Sequence, residues 1–162
     1  MLESWEALFL GELGAAAAFA GLLFVSLSVN QAHILSQQSA PERGIQSLWM
    51  LFLIFCVSAI MLVPHQSPRA VGGELLGVSL VHFVTLTISQ VREHRTIQPA
   101  YRWYAWLATS VGQAALWMIL ASAVGFLVRN DWLATYGLVP ATLIGFLIAA
   151  LNAWVLLIEI NR

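Results

Sequence analysis

Apolar residues along this chain neither alternate nor form single stripes; they come in blocks of about twenty, separated by short polar intervals. A bilayer core is about 30 Å thick and a helix rises 1.5 Å per residue, so blocks of that length fit transmembrane helices. Five blocks meet the criterion, at residues 8–29, 45–63, 70–90, 103–128 and 135–158. The pattern predicts an all-α, polytopic transmembrane helical bundle, with residues 1–162 as a single transmembrane domain. The third block is the weakest, because Glu74, Ser79, His82, Thr85, Thr87, Ser89 and Gln90 interrupt it. Were it re-entrant, four spans would remain.

The intervals carry the expected interfacial chemistry. Gln37, Gln38, Ser39, Pro41, Glu42 and Arg43 follow the first block, and Arg129, Asn130 and Asp131 separate the last two. Trp103, Tyr104, Trp106, Trp132 and Tyr136 stand near the block ends, where amphipathic rings sit at the headgroup level. With five spans, Arg43, Arg92, Arg95, Arg102 and Arg162 share one side and only Arg69 and Arg129 the other. Five arginines against two put the C-terminus in the cytoplasm and the N-terminus outside. Glu3 and Glu6 stand where a signal peptide carries Lys or Arg, so the first block reads as a retained span.

Composition narrows the function classes. Of 162 residues, 60% are hydrophobic and 9% charged, against about 25% charged in a soluble domain. The net charge is −1 and the arginines are scattered, so nucleic acid is not an expected partner. The chain has no lysine, which excludes Schiff-base chemistry, and its one cysteine, Cys56, excludes an intrachain disulfide. No nucleophile motif is present and no aspartate lies in a span, so the expectation is a protein that is not an enzyme. His82 is the one histidine deep in a span, which argues against a bis-histidine haem; His33 and His94 could meet at the cytoplasmic face but lack a third ligand. No cofactor and no metal site are expected.

The polar residues inside the blocks need an explanation, since an ionisable side chain at a helix centre costs about 2.5–3.5 kcal/mol on insertion scales. Glu74, His82, Thr85 and Ser89 recur at helical spacing in span three, and Glu12, Ser26 and Asn30 in span one. These two stripes predict a path for an ion or small solute, with Glu12 and Glu74 near the outer mouth and His82 at mid-depth; the alternative is an interhelical hydrogen-bonded staple. Substituting Glu74 or His82 is accordingly expected to change flux. Pro64 and Pro68 stiffen the loop that delivers His65 and Arg69 to the same outer face, where the two could form a polar cluster with the carboxylates or a salt bridge locking the hairpin to span one.

Small residues four apart allow close helix approach: Gly14 with Ala18, Ala17 with Gly21, Gly73 with Gly77, Ala121 with Gly125, and Gly145 with Ala149 and Ala153. Some of these seams are expected to face other subunits.

Residues 14–30, GAAAAFAGLLFVSLSVN, and 62–76, LVPHQSPRAVGGELL, resemble a widespread group of small bacterial multi-span proteins, some of them described as modulators of the FtsH membrane protease. The resemblance covers the first half of the chain and carries no site residues across. Together these readings predict a homo-oligomeric channel or transporter of the bacterial inner membrane. The alternative is a non-transporting accessory subunit or protease modulator that binds other membrane proteins through its small-residue faces.

Overall fold

The computed structural model describes residues 3–36 and 40–156. It is all-α, with five helices long and apolar enough to cross a bilayer, the arrangement of a multi-pass membrane protein. They are α1 (Glu3–Val29), α3 (Ala40–Leu62), α4 (Pro68–Thr96), α5 (Arg102–Arg129) and α6 (Thr135–Trp154). A short α2 (Gln31–Ser36) bends away after Asn30, and a 3-10 turn (Pro99–Tyr101) precedes α5.

Local chemistry sets the ends. Ser67 caps α4, its Oγ accepting the Ala70 N–H at 3.2 Å, and Pro68 occupies the first turn, where a missing N–H costs nothing. Asn130 closes α5 in the left-handed conformation, φ 52°, which its short amide side chain tolerates. α3 begins at Ala40, earlier than residue 45, and α4 continues to Thr96, beyond residue 90. The extensions hold because their polar side chains bond sideways: Arg43, Gln46, Gln90 and Glu93 are all buried. α4 is one continuous helix of 29 residues, which removes the re-entrant alternative. Of the last block, residues 157 and 158 lie outside the described residues.

α3, α4, α5 and α6 close a ring in which each packs on its two neighbours. α1 stands outside it, mainly against α3. Its buried positions, Phe9, Glu12, Ala16 and Leu23, recur at helical spacing and face the ring.

The glycines divide sharply. Gly72 is the close-approach residue of the α4–α5 contact: an added Cβ would lie 2.8 Å from the Ala123 carbonyl oxygen and 2.9 Å from both Leu127 Cγ and Phe126 Cβ. Gly145 makes a looser approach to α3, a Cβ there standing 3.1 Å from Ile54 Cδ1 and 3.3 Å from Met50 Sδ, and Ala149 and Ala153 are buried nearby. By contrast Gly14, Gly21, Gly73 and Gly77 have nothing within 4 Å of such a Cβ, so the pairs Gly14–Ala18, Ala17–Gly21 and Gly73–Gly77 do not pack the bundle.

Candidate functional site

Two buried polar clusters lie toward opposite ends of α3, one where α1, α3 and α6 meet and one between α3, α4 and α5; they are called outer and inner after the side that the arginine asymmetry predicts for each. The outer one is built on Glu12, which sits on the ring-facing side of α1 between Phe9 and Ala16 and is 6% exposed. Its Oε2 lies 3.3 Å from Ser58 Oγ of α3, and its Oε1 lies 2.7 Å from Thr142 Oγ1 of α6. Thr142 Oγ1 also lies 2.9 Å from the Val139 carbonyl oxygen. No cationic side chain pairs with Glu12 among the described residues; the ion pairs there join Arg43 to Glu93 and Arg129 to Asp131. Pro140, two residues before Thr142, removes one donor from the α6 ladder at this level.

The inner cluster contains an ion pair. Arg43 Nε lies 2.9 Å from Glu93 Oε1, Gln46 Nε2 donates to Glu93 Oε2 at 2.9 Å, and the guanidinium stands 5.3 Å over the Tyr104 ring. Ser89 donates to Glu42 Oε2 at 2.6 Å. Gln113 of α5 donates to Gln90 Oε1 at 2.7 Å and to Thr87 Oγ1 at 3.1 Å. Ser47 continues the network toward α6, its Oγ 3.4 Å from the Ala149 carbonyl oxygen. Ser58 and Ser47 are about 16 Å apart along α3 at 1.5 Å per residue. Between them the seam is filled by Ile54 and Met50 against Gly145.

The chain, compared with known protein families, curated proteins and solved structures, matches none.

The anticipated stripe of span three is divided among unlike surroundings. Glu74 is exposed and takes both Gln66 contacts, at 2.9 and 3.0 Å. His82 is 3% exposed, wedged against Trp49 and Phe52, with ring centroids 5.2 and 5.7 Å away. Its Nδ1 lies 2.8 Å from the Val78 carbonyl oxygen and must therefore donate, which leaves Nε2 as an acceptor without a partner among the described residues. Thr85 turns back to the Val81 and His82 carbonyls of its own helix, and Ser89 belongs to the inner cluster. At the end of α1, Asn30 Nδ2 donates to the Ser26 carbonyl at 3.0 Å, at the bend before α2. Burial decides this outcome: the Glu74 side of α4 faces outward, whereas His82 and Ser89 face α3.

The outer loop likewise does not gather the four groups named for it. His65 is exposed with φ 60° in the turn, Arg69 is exposed, and neither forms an ion pair with Glu12 or Glu74 among the described residues. The loop is instead tied to the start of α4 by Gln66 on Glu74. The His33 side chain lies outside the described residues; His94 stacks on Trp106 at 4.4 Å and bonds Thr109.

Sequence reasoning missed Ser58, Arg43, Gln46 and Glu93 as site residues. A signal for the three inner ones was present, since Arg43, Gln46 and Ser47 in one helix, and Ser89, Gln90 and Glu93 in the next, recur at helical spacing near the ends of their helices that adjoin in the fold.

Proposed function

We propose that this protein moves an ion or small solute across the bacterial inner membrane along the α3–α6 seam, which Glu12 of the span-one stripe adjoins. The observation that carries this reading is the Glu12 carboxyl, buried at the outer end of the seam with hydroxyl partners and no cation. A purely structural carboxyl in this setting is normally neutralised by Arg or Lys, because desolvating an uncompensated charge costs several kcal/mol. Ser47, beside the Ala149 carbonyl at the other end of the seam and next to the inner cluster, supplies a second polar station, and Ile54 and Met50 close the stretch between them. The break in the α6 ladder at Pro140 supplies the place where the helix can yield. The arginine asymmetry supports an N-terminus outside and a C-terminus in the cytoplasm.

The test is flux into liposomes of the reconstituted protein. Glu12→Gln is expected to lower the rate about tenfold or more, the equivalent of about 1.4 kcal/mol on the barrier. Glu74→Gln is expected to leave the rate unchanged. Equal flux in wild type and Glu12→Gln rejects the seam as the route.

A second reading, an accessory subunit or protease modulator, is favoured by the open face of α1, where Gly11, Gly14 and Gly21 meet nothing within 4 Å. The same face could join copies of this chain in a homo-oligomer. Absence of flux in wild type, together with capture of another membrane protein that Gly14→Leu abolishes, supports this second reading.

A further inference from the structure

The geometry points to Glu12 as a proton-binding site, formed with Ser58, Thr142 and the Val139 carbonyl from three different helices. This rests on the seam reading for its use in transport, while the site itself can be examined without any flux.

The argument is an inventory of donors. Thr142 has a single hydroxyl proton and two acceptors in range, Glu12 Oε1 at 2.7 Å and the Val139 carbonyl at 2.9 Å. If Glu12 is a carboxylate, Thr142 can satisfy one of the two and the other contact is lost. If Glu12 carries a proton, all three contacts are made at once: Ser58 donates to Oε2, the acid O–H donates to Thr142 Oγ1, and Thr142 donates to Val139. Removing the proton obliges the Thr142 hydroxyl to rotate from its own helix backbone to Glu12. Binding and release are thereby coupled to α6 beside Pro140.

The 2.7 Å separation of Glu12 Oε1 and Thr142 Oγ1 is the usual length of an O–H···O bond, about 2.7–2.8 Å.

The groups facing Glu12 leave it as the titrating member. From α3 the site receives Ser58 and from α6 Thr142, and both hydroxyls stay neutral. Along the same elements Glu6 is exposed on α1, Cys56 is half-buried on α3, and Tyr136 packs its ring on Trp5; none is bonded to Glu12 among the described residues.

The experiment is infrared difference spectroscopy of the full-length protein in lipid, recorded on stepping the pH. A carboxylic-acid C=O band that titrates, vanishes in Glu12→Gln and shifts in Thr142→Val is the expected result. Persistence of that band in Glu12→Gln assigns it to another carboxyl and overturns the site. Its abolition by added sodium at constant pH identifies a cation site and also overturns it. Should the band behave as expected while Glu12→Gln leaves liposome flux intact, the transport reading fails and the proton site stands.

Discussion

The Arg43–Glu93 pair allows a quantitative test of how the inner cluster is held. Both side chains are nearly inaccessible, at 7% and 4% exposure, so removing one partner strands a desolvated charge. Arg43→Met, which keeps the stem volume, leaves Glu93 with Gln46 alone and is expected to cost about 3–5 kcal/mol. It also loses the guanidinium on Tyr104, which contributes about 0.5–2 kcal/mol within that total. Glu93→Met strands the guanidinium and the Gln46 amide and is expected to cost a similar about 3–5 kcal/mol. The double variant carries neither charge; its residual penalty is the one Gln46 donor, about 1–3 kcal/mol. The sum of the singles therefore exceeds the double by several kcal/mol, a coupling far beyond the roughly 0.3–0.5 kcal/mol within which independent sites add. Unfolding by SDS, followed through the intrinsic fluorescence of the seven tryptophans, measures all four corners of the cycle. A double variant destabilised as much as the two singles combined would refute the account, because it would mean that the pair acts through shape and not through mutual neutralisation.

Gly72→Ala should destabilise the bundle by about 1–3 kcal/mol in the same assay, since the new methyl meets the α5 backbone, whereas Gly73→Ala and Gly77→Ala should be neutral or up to about 1 kcal/mol stabilising. Equal effects at the three positions would contradict the α4–α5 contact. For orientation, a cysteine at the exposed Arg95 position, in a chain carrying Cys56→Ala, should react with impermeant maleimide only from the cytoplasmic side. Labelling from outside would invert the topology.

Span number was legible because a long apolar block has few alternatives to a helix, and the third block kept that identity even with its polar insertions. Which face of each helix turns inward was far less legible. In a soluble helix the apolar stripe marks the core, but here lipid is as apolar as the core, so α4 carries no such mark and Glu74, His82 and Ser89 could not be sorted by pattern. The glycines failed for the same reason: a Gly-x-x-x-Gly pair singled out Gly73 and Gly77, yet the neighbouring Gly72 makes the contact. Glu12 was singled out as a path residue near the outer mouth, and it is buried against the bundle. Its partners were not identified, because Ser58 and Thr142 lie 46 and 130 residues away and are ordinary hydroxyls in otherwise apolar spans.

That separation also bears on how the chain is made. Glu12 on α1 is made before α3 brings Ser58, and the shorter of its two contacts must wait for α6, whose Thr142 lies 130 residues further on. Until α6 is in place a carboxyl on the face of α1 lacks its closing hydroxyl. A chain cut before α6 therefore retains Ser58 but not Thr142 beside Glu12, and this carboxyl is closed in only when α6 packs.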